Sequence, residues 1–499
     1  MDAAAKRLTL IAAIMGSFVV GVDATVVNVA LPAIEHDLGG GLTGQQWVVN
    51  AYLLFLGSLI LIGGSLGDLF GERRVFRIGV AGFGAVSVLC AIAPTIETLV
   101  AFRALQGVFG ALLTPAALAI IIATFPPDER ASAIGSWTAW AGIATVIGPL
   151  AGGQLIDSWS WRAIFAVNVP FVIATLAMSA RIPMPAERSG RRPRVDWQGA
   201  TLAAVGLAGP TLALIEQPRV GWSDPLVAGP LVAGVVLLTT FVLWERRTPE
   251  PMLPLGIFRR RNFAVGNLET LVMYGGLSVV FFLLVIFLQQ VAGYDALQAG
   301  LATLPTTGIM FLLSKRFGAL ADRLGARWFM GFGPLVGAAG LALMLRVDAQ
   351  FSYWTDLLPA LLVFSLGLAM TVAPLTATVL ADADESNAGI ASAVNNAIAR
   401  VAGLLATASI GAVVGSASGI DTDGFHMGIL IAAVLVAIGG LLGLAGIRDR
   451  KAAGEPCRDV RAEDCPGGQL AGVPEDAARP LVVAELRLPA GAGAGGGTT

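Results

Sequence analysis

GSLGDLFGER, residues 64–73, returns in the second half of the chain as GALADRLGAR, residues 318–327. Each copy places an Asp four residues after its first Gly, a second Gly seven on and an Arg nine on. The matched positions are Gly64, Asp68, Gly71 and Arg73, then Gly318, Asp322, Gly325 and Arg327. Arg74 and Arg323 add positive charge to the same two segments. Both segments close apolar runs long enough to cross a bilayer as a helix, which takes about 20 residues. A motif that repeats in spacing and in place implies two halves of common design, with a shared site expected between them.

The composition agrees. Of 499 residues, 56% are hydrophobic and 13% charged, where a soluble domain carries about 25% charged. Mean hydropathy is +0.76. Apolar runs near 9–32, 47–67, 78–94, 98–122, 134–156, 163–181, 197–217, 226–244, 263–290, 298–314, 328–346, 356–380, 389–416 and 425–447 give fourteen candidate spans. The first is too long for a secretory leader and lacks a small-residue cleavage site.

Arginine fixes the orientation, because cytoplasmic loops collect Lys and Arg. With the N-terminus inside, the inner segments hold 23 Lys and Arg, and the outer loops only Arg162, Arg219 and Arg346. Dropping the seventh or the eighth span would turn the basic segments 245–261 and 315–327 outward, against the rule. Setting that pair aside leaves six spans on each side, and each repeated motif then follows the second span of its half. The expected fold is an all-α polytopic membrane protein. It has a six-helix half (1–182), two extra helices with flanking basic loops (183–262), a second six-helix half (263–449) and a disordered tail (450–499). The tail ends in GAGAGGGTT and cannot bury a core.

Several classes fall away. A net charge of −2 with no basic domain argues against a nucleic-acid binder. Three cysteines, Cys90, Cys457 and Cys465, are too few for a disulfide framework and read as free thiols. GGSLG at 63–67 fits the spacing of a nucleophile elbow, but Ser65 lies at a helix end. The two histidines, His36 and His426, fall at outer loop or helix-end positions. No metal-ligand spacing and no phosphate-binding G-x-x-x-x-G-K-[ST] loop occur. The chain is expected to be no enzyme and to use no cofactor, metal or ATP.

Charges inside the spans are costly and need a partner or a wet cavity. Asp23 lies about 14 residues into the first run, some 20 Å along a helix. It reads as a proton-binding carboxylate, a counter-charge for a cation, or a hydrogen-bonded helix contact. Arg103, toward the outer end of the fourth span, reads as a coupling charge or as an anchor reaching the headgroups. Glu269, two turns into the ninth span, is a second carboxylate or a shallow hydrated one. Arg400 in the thirteenth is similar. Asp68 and Asp322 are expected to meet arginines at helix ends, contacts whose breaking would accompany a switch between two packings. Gly148, Pro149, Gly152 and Gly153 strip side chains from one helix face, either for a conformational hinge or for ordinary close packing.

With these residues on the page, the chain resembles the major facilitator superfamily, and within it the fourteen-helix drug:proton antiporter branch, over roughly residues 8–448. The motif at 64–74 is similar to the superfamily signature, though Leu69 and Glu72 stand where basic residues are usual. VDATVVNVALP (22–32) resembles the branch's first-helix signature through Asp23, Thr25, Asn28 and Pro32. LVAFRALQGVFGA (99–111) matches at Arg103, Gln106, Gly107 and Gly110. GPLAGG (148–153) matches the antiporter motif, with Ala144 at an upstream position that is often Gly. WRAIFAVNVP (161–170) also looks like this branch, and NNAIARVAG (395–403) does so in part.

The resemblance implies a proton-coupled exporter of amphipathic drugs or antibiotics, working by alternating access in the cytoplasmic membrane. Both termini are expected inside and the chain is expected to act as a monomer. Its proton-coupling or substrate-binding candidates are Asp23, Asn28, Arg103, Gln106, Glu269 and Arg400. Its partners are the drug, protons and the bilayer, with no nucleic acid. A same-fold carrier of an ordinary metabolite, such as a siderophore or amino acid, is the nearest alternative. A membrane sensor without coupled transport is the alternative of another class. The abundant Ala, Gly and Arg suggest a GC-rich genome, where export would serve self-resistance to a secreted antibiotic.

Overall fold

A computed structural model describes residues 3–180, 195–382, 388–414 and 420–449. Residues 1–2 and the expected tail at 450–499, with Cys457 and Cys465, lie outside these residues, as does the expected basic loop at 181–194. A bilayer offers the backbone no partners, so each apolar run closes its hydrogen bonds within a helix. The first half holds α1 (Ala3–Leu38), α2 (Gly41–Phe70), α3 (Glu72–Ala91), α4 (Ile96–Thr124) and α5 (Pro127–Ser158). Its sixth span is broken at Val167 into α6 (Ala163–Ala166) and α7 (Asn168–Ala180). The extra pair is α8 (Trp197–Val220) and α9 (Pro225–Glu245). The second half holds α10 (Arg261–Gln290), α11 (Ala296–Leu324), α12 (Ala326–Met344), α13 (Leu358–Ala381), α14 (Ala388–Val414) and α15 (Thr422–Gly446). Among the described residues fourteen spans are long and apolar enough to cross a membrane, as expected from the sequence.

The helices overrun their apolar cores and take in most of the repeated motif. In each copy the connection is one glycine. Gly71 (φ +89°) joins α2 to α3, and Gly325 (φ +99°) joins α11 to α12. A left-handed backbone at a one-residue turn favours glycine. The arginines two residues on do matching work. Arg73 donates to the Ser179 carbonyl at 2.6 Å and the Ala180 carbonyl at 3.0 Å, at the end of α7. Arg327 donates to the Leu444 carbonyl at 2.7 Å, near the end of α15. Each places a cation on the orphan carbonyls that end the last helix of its own half. The expected ion pair of Asp322 is not found among the described residues, where that side chain is exposed. Asp449 approaches the second turn instead, accepting from the Arg327 backbone N–H at 3.0 Å. Asp68 lies on the last turn of α2.

These contacts gather one end of the bundle, called here the basic end. Lys6 pairs with Glu129 there at 2.7 Å, and Arg261 donates to the Gly446 carbonyl at 2.7 Å. Within the first half α4 packs on α2 and α3, and α1 on α5 and α7. Within the second α12 packs on α13 and α15, and α10 on α14 and α15. The halves meet along α2–α14 and α5–α11. Helix α8 packs on α9 and lies across both α2 and α14, so the added pair covers one of the two seams. Exposed Trp159, Trp222 and Trp354 at one end and Trp197 and Trp328 at the other mark where a bilayer's interfaces would fall.

Candidate functional site: a buried charge cluster and a glycine seam

Asp23 on α1 is completely buried, and Arg103 on α4 is 1% exposed. Arg103 Nη1 lies 2.6 Å from Asp23 Oδ2. The partner that the cost of each charge demanded is therefore the other. The same Nη1 donates to Gln106 Oε1 at 2.6 Å, and Nε donates to the Val48 carbonyl of α2 at 3.3 Å. Gln106, one turn after Arg103, turns its amide nitrogen to Asp23 Oδ1 at 3.1 Å and to Ser87 Oγ of α3 at 3.0 Å. Asn168, the first residue of α7, donates to Asp23 Oδ1 at 3.4 Å and to Ser87 Oγ at 3.2 Å. The guanidinium also stacks over the Tyr52 ring, 4.3 Å from its centroid.

Helices α4 and α7 thus meet the α1 carboxylate directly, and α2 and α3 join the cluster through Arg103 and through Ser87. It lies toward the end opposite the basic one: Arg103 is seven residues, about 10 Å, from the start of α4. A buried pair with so many donors is satisfied rather than merely neutral. Deleting one member typically costs about 3–5 kcal/mol, because the other is left charged and alone. The burial of Arg103 removes the reading of a headgroup anchor.

The glycine motif on α5 forms a seam. A Cβ at Gly148 would strike Thr25 Oγ1, and one at Gly152 would strike Val26, both on α1 close to Asp23. A Cβ at Gly153 would lie 2.6 Å from Leu297 Cα on α11. One at Gly300 of α11 would lie 2.7 Å from the Pro149 carbonyl. So α5 is pressed between α1 of its own half and α11 of the other. The contact is locked by Asp157, whose carboxylate accepts from the backbone N–H of Leu297 at 2.8 Å and of Ala296 at 3.2 Å. Those N–H groups are orphan donors at the start of α11. This seam closes the end opposite the basic one. Toward the basic end, a Cβ at Gly135 of α5 or Gly308 of α11 would meet open space.

The other candidates stand apart. Asn28 is half-buried and outside the cluster. Glu269 is 0% exposed, and among the described residues neither carboxylate oxygen has a hydrogen-bond partner. Its side chain lies against Gly439 of α15, so a shallow hydrated position is excluded. Arg400 is half-buried on α14 beside Gly57 of α2.

Ser87, Asn168, Tyr52 and Asp157 were missed from the sequence. Asn168 lies inside the quoted stretch WRAIFAVNVP, and its position as the one amide in an apolar run was the available signal. Ser87 has no comparable mark. Among the described residues no cluster of His, Cys, Asp and Glu has the makings of a metal site.

Fourteen spans in two like halves, with a buried charge cluster in one half and a tight glycine seam between them, define a polytopic membrane transporter. The chain belongs to the Major Facilitator Superfamily, whose family model matches residues 13–407. It is 38% identical to the puromycin resistance protein pur8 of Streptomyces alboniger, over 87% of this chain and 88% of that one. It is 35% identical to the tetracenomycin C resistance and export protein of Streptomyces glaucescens, over 82% and 76%. The multidrug resistance protein Stp of Mycobacterium tuberculosis is 34% identical over the same shares, 82% and 76%. Among solved structures, an inward-facing bacterial homologue of the lysosomal transporter Spinster superposes with a TM-score of 0.65 at 14% identity, covering 89% of this chain and 97% of that one. A D-xylose–proton symporter gives 0.62 at 16% identity, covering 88% and 97%. At those identities the likeness is one of fold.

Proposed function

We propose that the protein exports small amphipathic molecules, antibiotics among them, across the cytoplasmic membrane in exchange for protons. The observation that carries the export reading is similarity over more than four-fifths of the chain to proteins named for antibiotic resistance and export. The basic end is the cytoplasmic one, by the distribution of Lys and Arg, and α1 begins and α15 ends there. The α5–α11 seam then closes the outer side, and the conformation faces inward. Two six-helix halves rock about a central site, with the glycine faces of α5 and α11 parting as the outer side opens.

Asp23 is the coupling carboxylate. While ionised it holds Arg103, Gln106 and Asn168 around it and draws five helices together. A proton arriving at Asp23 removes the charge that Arg103 answers, and loosening of that cluster is what the proton contributes to the switch. Glu269 is a second proton carrier, and Arg400 lies on the substrate's path. The membrane potential adds about 2.3 kcal/mol per inward-moving charge per 100 mV.

The reading is tested in cells by accumulation of a fluorescent amphipathic dye, ethidium. Cells making the protein should hold less dye than cells with an empty vector, and a protonophore should abolish the difference. Equal accumulation across a panel of such dyes and antibiotics would overturn drug export. A difference that survives the protonophore would overturn proton drive.

A further inference from the structure

A cavity of about 520 Å³ lies beneath the added helix pair, walled by α2, α8, α9, α10, α14 and the turn before α10. None of its lining residues belongs to the charge cluster, so it needs its own explanation. Ala203, Leu207, Phe258 and Ile398 typify its wall, and the polar side chains there are Ser58 and Asn267. Both already serve the protein's own hydrogen bonds. Ser58 Oγ donates to the Leu54 carbonyl at 2.6 Å. Asn267 donates to the Phe263 carbonyl at 2.8 Å and accepts from Asn395 at 3.1 Å. A polar guest would give up its water for little in return. A hydrocarbon chain would lose nothing and bury its surface.

Depth and charge narrow the guest further. The α10 residues that line the cavity, from Ala264 to Leu271, lie three to ten residues from that helix's start. That is about 5–15 Å in from the basic end, within one leaflet of a core about 30 Å thick. Leu268 and Leu271 are exposed, so the cavity opens on their side. Arg259 directly follows Phe258 of the wall. Arg246 and Arg247 follow Glu245, whose carboxylate accepts from the backbone N–H of another wall residue, Leu253, at 3.0 Å. All three arginines are exposed, and among the described residues none of their guanidiniums forms an ion pair. Basic pockets between helices at a membrane surface take anionic headgroups.

We propose that this cavity binds an anionic phospholipid of the basic-end leaflet, with one acyl chain inside and the phosphate held by Arg246, Arg247 and Arg259. The chain fills the space under α8 beside the α2–α14 seam. The added pair thereby retains a lipid at a joint that moves.

The test reconstitutes the full chain in phosphatidylcholine vesicles. They carry a trace of phosphatidylglycerol with a photoreactive diazirine in mid-chain or, in parallel, phosphatidylcholine with the same chain. Crosslinked peptides are mapped by mass spectrometry. The phosphatidylglycerol probe should label the cavity segments of α8, α10 and α14 several-fold more than the exposed α9 face at Val232, Val235 and Val236. It should also label them several-fold more than the phosphatidylcholine probe does.

Ala203→Trp, which fills the cavity, should remove that labelling. Should that variant not fold, the surface variant Arg246→Ala/Arg247→Ala/Arg259→Ala carries the test, and it should lose the preference for phosphatidylglycerol. Labelling no stronger than at α9, or equal for both headgroups, would overturn the proposal. So would displacement of the label by an excess of puromycin, which would make the cavity a drug site. No step depends on transport, so the result stands apart from the export assay.

Discussion

Asp23 in the first half and Glu269 in the second are both completely buried, yet their surroundings are opposite. The oxygens of Asp23 take donors from Arg103, Gln106 and Asn168. Those of Glu269 take none and face the glycine surface of α15. They also differ in depth. Arg103 is about 10 Å from the end opposite the basic one, and Glu269 is eight residues, about 12 Å, from the basic end. The halves share a backbone design down to the paired glycine turns and the arginines that cap α7 and α15, but they do not share electrostatics. Symmetry was kept where a half must hold its own helices together. It was lost where charge sits inside the membrane, at Asp23 and Glu269.

That contrast can be broken by substitution. Arg103→Ala should have the largest effect, a loss of about 3–5 kcal/mol in stability, because it strands a buried carboxylate. Thermal unfolding in detergent reads it, and adding Asp23→Asn to the same chain should restore part of the loss. No restoration would mean that packing on Tyr52, and not the ion pair, is what Arg103 supplies. Gly148→Val comes next, at about 1–3 kcal/mol for overpacking against Thr25. Dye export should fall to background even where the protein is made in normal amounts, and normal export would remove the α1–α5 seam from the mechanism.

Arg73→Ala and Arg327→Ala should cost about 0.3–1 kcal/mol each and nearly the same as one another, as expected for matched caps on helix ends. A large inequality in their unfolding midpoints would show that the repeat is one of sequence more than of role. Glu269→Gln should change stability least, by roughly 0.5 kcal/mol or less, because no partner is lost. Its export rate should nonetheless respond differently to cytoplasmic pH. A stability loss as large as that of Arg103→Ala would mean that Glu269 has an ionic partner after all.

The spans, their number and the two-half plan were legible because lipid imposes a length and a composition on every helix. Asp23, Arg103 and Gln106 were legible as costly or motif-borne residues, and all three meet. That they meet each other was not legible. Eighty positions separate Asp23 from Arg103, and nothing local records the rotation of α1 against α4. Ser87 is one hydroxyl in an apolar run and looks like any small residue that eases packing. The burial of Glu269 was hidden because α10 is apolar on every side, so no face announces itself as interior. The place of α8 across the α2–α14 seam was equally silent, since packing between helices in lipid relies on shape more than on hydrophobic contrast.

The most direct test of Asp23 as the coupling site uses energised inside-out vesicles with a pH-sensitive dye, comparing the natural chain with Asp23→Asn. An exported drug added to the natural chain should collapse part of the proton gradient, and the same drug should leave the gradient intact in the Asp23→Asn vesicles. If the drug is carried and the gradient stays untouched in the natural chain, or collapses equally in both, Asp23 does not couple proton entry to export.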